Sequence, residues 1–331
     1  MELEYVPFHI LQEFTDDFSK ERKVGEGAFG VVYRGVTRNG DDVAVKKLLN
    51  INLDYRQFQN EIYNLWKLKH RNTVQILGYC YETEQKPFIN PDGSMVLVEE
   101  THRAICLEYL HNGSLQKHIS DEFRGLDWHM RFKIIKGACE GLKYIHEELE
   151  ESIYHLDLKP DNILLDKDMV PKIADFGLSK IFGTELTRTT PNPYGTPGYQ
   201  PPEYIDRGEI SAEFDIFSLG VVMIRIVFGH EGYYKCFNMS SDEFIDQVRN
   251  DEYIDQVQKN WRNRLQASCH DDSLLEAYCH QVETCTQIAL KCVEKERQKR
   301  PNILEITEML NQIETGIRKE IVSLHADHVT G

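Results

Sequence analysis

A glycine pattern that runs straight into a strand-like stretch limits most tightly how this chain can fold. Gly25, Gly27 and Gly30 stand in GEGAFG, and the run passes directly into VVYRGV (31–36), an alternating stretch rich in β-branched residues. Glycines remove side chains, so backbone N–H groups can approach phosphate oxygens. A dinucleotide-binding turn has a strand before the glycines and a helix after them. Here a second strand comes after them, so the context is strand–loop–strand and a dinucleotide-binding redox fold is excluded. No Gly-Lys-Ser/Thr succeeds the glycines, which removes a Walker loop as well. Taken alone, the pattern fits a phosphate cradle and a plain tight hairpin equally.

The surrounding periodicities describe two halves. DVAVKKL (42–48) reads as a strand with Val43 and Val45 on one face and Ala44 and Lys46 on the other. Over 54–69 the period changes: Phe58, Ile62, Leu65 and Leu68 recur at three and four, the mark of an amphipathic helix. Strands return at 73–81 and 95–110, with the turn-rich PFINPDGS (87–94) between them. The insert at 84–101 reads either as a long hairpin or as a partner surface. Beyond residue 112 the pattern is mostly helical. Asn112-Gly113-Ser114 can cap a short helix, and Asp127 is the candidate cap of a helix over 127–147 with Phe132, Ile135, Cys139, Leu142 and Ile145 on one stripe. Residues 152–182 read as short strands and loops, and 214–228 as a central buried helix. Further helices are expected at 241–266, 273–293 and 302–314, and a frayed tail over 317–331. The expected class is α+β and bilobal. A small antiparallel sheet with one main helix fills 18–110, and a larger, mostly helical lobe fills 111–315. An N-terminal extension (1–17) and a C-terminal tail (316–331) flank them. A cleft between two such halves is a common ligand site.

Two stretches carry most of the chemistry. IYHLDLKPDNILLD (153–166) gathers Asp157, Lys159 and Asn162 in one tight span. Asp157 can accept the proton of an attacking hydroxyl, Lys159 can neutralise charge on a transferred phosphate, and Asn162 offers Mg²⁺ a hard oxygen donor. In KIADFGLS (172–179), Asp175 is a carboxylate fixed before a glycine, suited to bridging metal and phosphates. Upstream, Lys46 supplies a cation for phosphate oxygens, and Glu61 on the amphipathic helix can hold its charge and aim. Each motif alone has a bland reading as a turn or a solvated residue; their order along the chain does not.

In order, GEGAFGVV, VAVK, Glu61, HLDLKPDN, DFG, PPE (201–203), Asp215 and Arg300 make the chain resemble the protein kinase superfamily over roughly residues 18–315. The resemblance implies ATP as phosphate donor, Mg²⁺ as metal, and transfer to Ser or Thr of a protein substrate. It implies that Asp157, Lys159, Lys46 and Glu61 are catalytic and that Asn162 and Asp175 hold the metal. Val24, Gly25, Glu26, Gly27, Gly30 and Lys46 are then expected around the nucleotide, with Val32, Ala44 and Leu164 sandwiching the base. Leu107 becomes the gatekeeper, and Glu108 and Leu110 bind adenine through backbone groups. Glu203 is expected to pair with Arg300, Asp215 to hold the catalytic-loop backbone, and Leu65, Ile76, His155 and Phe176 to stack as a spine. Lys159 and GTPGY (195–199) with Thr196 resemble the Ser/Thr class. FTDDFSKERKVGEGAFGVVYRG, LGYC, LEYLHNGSL and GTPGYQPPEY are similar to plant receptor-like kinases, relatives of the Pelle and interleukin-receptor-associated kinases. The receptor-like cytoplasmic type, or a soluble fragment of something larger, is implied.

One departure matters. The arginine usual before the catalytic aspartate, which pairs with a phosphate on the activation loop, is Leu156 here. Activity is therefore expected to depend little on phosphorylation of Thr184, Thr187, Thr189 or Thr190, and to be modest or set by partners. The competing reading is a pseudokinase scaffold that binds nucleotide without efficient transfer. Its usual mark, a lost lysine or aspartate, is absent.

A net charge of −16 repels polyphosphate backbones and anionic lipid, so nucleic acid is not an expected partner. The longest apolar run, Ile216 to Phe228, contains Arg225 and falls short of the ~20 residues a membrane span needs. No secretory or myristoylation signal is read at the start. The eight cysteines show no CxxC pair and read as reduced thiols rather than a disulfide frame or a zinc site. The expectation is a cytoplasmic monomer or transient dimer, brought to membranes only by a receptor or scaffold partner.

Overall fold

Alternation of apolar and polar residues builds the first half of the chain around a sheet. The computed structural model describes residues 3–27, 30–49, 55–119, 125–182, 187–189, 195–234 and 249–330. It divides into two compact units, Met1–His111 and Asn112–Gly331. In the first, β1 (Glu4–Tyr5), α1 (Phe8–Thr15), β2 (Lys23–Gly27), β3 (Gly30–Val36), β4 (Asp42–Leu48), α2 (Tyr55–Lys67), β5 (Ile76–Ile89) and β6 (Met95–Glu108) succeed one another. The strands form one sheet in the order β1-β5-β6-β4-β3-β2, antiparallel except for β1, which lies parallel to β5.

The two faces of β4 are distinct, as its period of two requires. Val43 and Val45 join Cys80, Ala104 and Cys106 in a core that Phe8 and Leu11 of α1 cover. Each large apolar side chain buried there contributes about 1.5–3 kcal/mol. The segment before residue 18 is thus packed against the sheet: Val6 N donates to Tyr79 O at 2.8 Å, and Phe8 N to Glu82 Oε2 at 2.9 Å. Ala44 and Lys46 point to the opposite face. Gly30 must be glycine for a steric reason, since a Cβ there would stand 2.4 Å from Lys47 O.

The second unit opens with β7 (Gly113–Ser114), α3 (Leu115–Ile119) and α4 (Trp128–Lys143). Asp127 caps α4, accepting from Met130 N at 2.8 Å. Short strands come next: β8 (Ser152–Tyr154), β9 (Ile163–Leu165), β10 (Pro171–Ile173), β11 (Lys180–Phe182) and β12 (Arg188–Thr189). β9 lies between β7 and β10, and β11 pairs with β8. Beyond them are α5 (Pro202–Arg207), β13 (Glu209–Ile210), which pairs with β12, and α6 (Ala212–Tyr234), interrupted at Gly229 with φ 73°. Every residue from Phe214 to Phe228 is buried, so α6 is apolar on all sides because it is enclosed on all sides. α7 (Asp251–Gln266), α8 (Asp272–Cys292) and α9 (Ile303–Thr330) complete the unit.

Two helical expectations need amendment. The helix expected from 241 is described only from Asp251, residues 241–248 lying outside the described residues. The tail expected to fray from 317 instead continues α9 to Thr330. Ile317 is buried, Glu314 binds both Lys136 and Arg318, and Ser273 Oγ donates to Glu320 at 2.9 Å. The partners Lys136 and Ser273 lie on α4 and α8, far away in sequence, which is why local periodicity missed them.

Candidate active site

The glycine loop is a turn between antiparallel strands. Gly25 faces Val32, Glu26 faces Val31 and Gly27 faces Gly30. Ala28 and Phe29 lie outside the described residues. A Cβ on Gly27 would meet no atom within 4 Å, so among the described residues packing gives no reason for glycine there. Val24 is exposed, and Glu26 pairs with Lys23 at the surface.

Cross-strand register gathers several expected residues on the sheet face opposite α1. Val32 stands across from Lys46, Lys46 from Ile105, Ala44 from Leu107, and Leu107 from Ile76. Directly paired residues share a face, so Val32, Ala44, Lys46 and Leu107 line one surface. Lys46 Nζ reaches Glu61 Oε1 of α2 at 2.7 Å, and both side chains are buried. A buried contact between opposite charges holds the ammonium in one place. Glu108 uses its carboxylate within its own unit, accepting from Gln75 N at 2.9 Å. Leu110 is buried, and Leu65 is buried on α2.

The second unit carries an acid–base cluster. Asp157 is 8% exposed, and nearly all of its polar capacity is engaged. Asn162 Nδ2 donates to Asp157 O at 2.8 Å and to Oδ2 at 3.0 Å. Lys159 Nζ lies 3.0 Å from Oδ2. Thr196 Oγ1 donates to Oδ1 at 2.6 Å and accepts from Lys159 Nζ at 2.7 Å. With both amide hydrogens turned to Asp157, the Asn162 oxygen is the atom able to take a cation. Gly195 makes the approach of Thr196 possible: its φ is 81°, and a Cβ would stand 2.5 Å from Leu156 O. In the sequence Thr196 is legible only as a class mark; nothing local announces that it closes on Asp157.

A buried carboxylate sets the backbone beneath this cluster. Asp215 is fully buried, and its oxygens accept from His155 N at 2.7 Å and Leu156 N at 2.8 Å. His146 Nε2 lies 2.9 Å from the same carboxylate, a partner that sequence reasoning did not name. These bonds hold Leu156 at φ 63°, a left-handed conformation that costs a non-glycine residue about 1–2 kcal/mol. The Leu156 side chain is wholly buried with Tyr154, Tyr204, Ile210 and Phe214. A hydrophobic plug therefore stands where a phosphate-reading guanidinium was the expected residue.

Asp175 comes after β10 at φ 65°, ψ 66°, directly before a short 3-10 turn, Phe176–Leu178. Ala174 N donates to Asn162 O at 2.9 Å, which ties the strand before Asp175 to the loop that carries Asn162. Phe176 is buried edge-on against His155, with ring centroids 5.0 Å apart, and His155 Nε2 lies 2.9 Å from Ala174 O. Leu164 lies in β9, across from Lys172 and Ser114. Arg300 grips Glu203 with two bonds of 2.6 and 2.8 Å, both side chains buried. Of the four candidate phosphoacceptors, Thr187 and Thr189 are exposed, and Thr184 and Thr190 lie outside the described residues.

The seven described cysteines are free thiols, and Cys236 lies outside the described residues. Burial pushes Cys80 and Cys106 up to about 12, which keeps them protonated and unreactive near neutral pH. Among the described residues no group of three His, Cys, Asp or Glu side chains could hold a metal. No described helix is long and apolar enough to cross a membrane.

Comparisons with known proteins match most of the chain. The family model described as the protein kinase domain matches residues 18–312. A G-type lectin S-receptor-like serine/threonine-protein kinase of Arabidopsis thaliana is 38% identical over 313 residues, covering 93% of this chain and 36% of that protein. Cysteine-rich receptor-like protein kinase 29 of the same plant is 37% identical over 312 residues, 92% of this chain and 42% of its own length. The receptor-like serine/threonine-protein kinase SD1-7 is 34% identical over 328 residues, 96% of this chain and 36% of its own length. The chain thus spans well under half the length of these three relatives.

Proposed function

The chain belongs to the protein kinase family, and from that premise we propose that it transfers the γ-phosphate of ATP to Ser or Thr of a protein, in plant-type receptor-linked signalling. The observation that carries the reading is the set of bonds around Asp157: a carboxylate held by Asn162, Lys159 and Thr196 with its geometry already fixed. Such preorganisation is what phosphoryl transfer asks of a protein, since little covalent chemistry falls to it.

Asp157 would orient the acceptor hydroxyl and take its proton. Lys159, already beside that carboxylate, would neutralise charge developing on the transferred group. Lys46, held in place by Glu61, would take the α- and β-phosphates. The open side of Gly27 is a cradle that any side chain would fill, which suits close approach of a phosphate. Leu107 would act as gatekeeper beside the base, Glu108 and Leu110 would meet adenine through backbone groups, and Val32, Ala44 and Leu164 would enclose it. Asn162 and Asp175 offer hard oxygen donors that would hold Mg²⁺, which would supply positive charge against the phosphates when bound. Because Leu156 is buried among apolar rings, activation-loop phosphate would have no cation to meet at that position, and activity would depend little on it.

The test is incubation of the purified chain with γ-labelled ATP and a generic protein substrate, with and without Mg²⁺, and then phosphoamino-acid analysis. Label on Ser or Thr is expected from the wild type, and a loss of ~10²-fold or more from Asp157→Asn. Equal incorporation by Asp157→Asn would remove the assignment. Nucleotide binding without incorporation would make the chain a pseudokinase scaffold.

A further inference from the structure

The hairpin of β5 and β6 runs on past the sheet. β6 pairs with β4 only as far as Ala104, and β5 pairs with β1 only at Gly78 and Tyr79. From Tyr81 and Arg103 out to the turn, the two strands form a ribbon with no described strand on either edge. An exposed ribbon ordinarily carries polar side chains. Here Phe88, Ile89, Met95 and Leu97 are 54, 70, 68 and 61% exposed, and Val96 and Val98 are 41 and 46% exposed. Phe88 faces Val96 and Lys86 faces Val98, while Ile89 faces Met95 and Pro87 faces Leu97. Three consecutive pairs, 87/97, 88/96 and 89/95, are thus apolar on both strands, about 10 Å of ribbon, and Val98 extends the band opposite Lys86. An uncovered apolar band with open edges is an association surface.

Charge at both ends of the band narrows the occupant. At the turn, the Asp92 carboxylate accepts from Ser94 N at 2.9 Å and Ser94 Oγ at 2.6 Å. At the other end stand Glu84, Glu99 and Glu100, with Lys86 within 3.6 Å of Glu84 and 2.6 Å of Glu100. End-on entry into lipid would drag Asp92 into hydrocarbon, and the acidic collar repels an anionic surface. The band is suited instead to lying sideways against another strand.

The backbone says which edge is available. Asn90 N donates to Ser94 O at 2.8 Å, so 90 and 94 form a hydrogen-bonded pair. Antiparallel alternation then turns the main chain of 87 and 89 outward on β5, and of 95, 97 and 99 outward on β6. The β5 edge is blunted, because Pro87 has no N–H to offer and Lys86 stands beside it. Over 95–99 the β6 edge carries no proline and no lysine, and Met95, Leu97 and Glu99 each present a main-chain donor and acceptor outward.

We propose that two copies of this chain pair antiparallel through the β6 edge, about a two-fold axis at Leu97, so that the sheet continues from one copy into the other. In that register Val96 meets Val98 of the second copy, Met95 meets Glu99, and Ser94 meets Glu100. No acid faces an acid, the packing is self-complementary as a two-fold requires, and the β-branched pairs stabilise it. Moving the axis to Glu99 would set two carboxylates against each other.

Sedimentation equilibrium of the full chain over a concentration series tests this. The expected mass rises from 38.6 kDa toward twice that value. Leu97→Lys sets two ammonium groups across the axis and raises the dimer dissociation constant by at least about tenfold. Its circular dichroism and melting should match the wild type, because the Leu97 side chain is 61% exposed. Ile89→Lys, on the blunted strand, should weaken the dimer less than Leu97→Lys does. A wild-type chain that stays monomeric at every concentration overturns the proposal, as does a dimer indifferent to Leu97→Lys. Equal loss in both variants would mean unspecific sticking and also overturns it. A monomer that co-sediments with phosphatidylcholine vesicles would assign the ribbon to lipid instead. None of these readouts uses phosphotransfer, so the result stands apart from the kinase reading.

Discussion

Replacing Thr196 by Val keeps its shape and removes one oxygen, and the geometry says what that costs. The hydroxyl donates to Asp157 Oδ1 at 2.6 Å and accepts from Lys159 Nζ at 2.7 Å, so it sits between the proposed base and the proposed phosphate cation. Each bond involves a charged partner, and such bonds contribute about 1.5–3 kcal/mol when lost. Thr196 is only half-buried, so water can replace part of the loss and the lower end applies. A penalty of about 1.5 kcal/mol confined to the transition state is roughly a tenfold fall in kcat. Steady-state phosphate transfer by Thr196→Val and Thr196→Ser measures it. The serine variant retains the oxygen and should stay near wild type, while the valine variant loses kcat with KM for ATP little changed. If valine and serine variants turn over alike, Thr196 does not position Asp157 and the reasoning fails.

Lys46→Met should cost ~10²-fold in turnover and also destabilise the chain, because Glu61 is left buried without its partner. Adding Glu61→Gln should restore stability in a urea melt but not turnover; recovery of both would separate Lys46 from the chemistry. Arg300→Leu strands the buried Glu203 carboxylate and should cost about 3–5 kcal/mol by denaturant titration, with much of it recovered in the double Leu variant. A single variant as stable as the wild type contradicts the pair. Alanine at Thr184, Thr187, Thr189 and Thr190 together should leave phosphotransfer largely intact, since Leu156 offers no cation to a phosphate there; an inactive but folded variant would refute this. The Arg34 guanidinium beside Asp42, aided by His111, holds that carboxylate below its usual range. The stability it adds is present above the unfolded-state pKa and fades as pH falls through the lower folded-state value. Arg34→Met should therefore flatten the acid limb of stability, and parallel limbs in the two proteins would count against it.

Local chemistry accounts for the part that could be read in advance. The period of two in DVAVKKL set Val43 and Val45 against α1 and Lys46 on the other face, because successive side chains of any strand must alternate. Asp127 was legible as a cap because its partner, Met130, is three residues away. The strand–loop–strand order around Gly25–Gly30 was likewise written in adjacent residues. Glu61 became legible only through its distance from Lys46 within a known order of motifs.

Distant partners decided the rest. Thr196 reaches Asp157 across 39 residues, and no pattern near either one encodes the meeting. Whether Leu156 would be a solvated substitution or a buried plug depended on Tyr204, Ile210 and Phe214, which fold against it from α5, β13 and α6. The end of α9 depended on Lys136 and Ser273 in the same way. For residues 84–101 the sequence left both a long hairpin and a partner surface open. Exposure exists only once a fold has chosen which apolar residues to cover, and this one leaves Phe88 through Val98 uncovered while enclosing Arg131 and Asp215. Sequence determined which chemistry the chain carries, because that needs only residue types in order; tertiary structure determined which of those groups touch, because contact is a property of chain segments that meet far from one another.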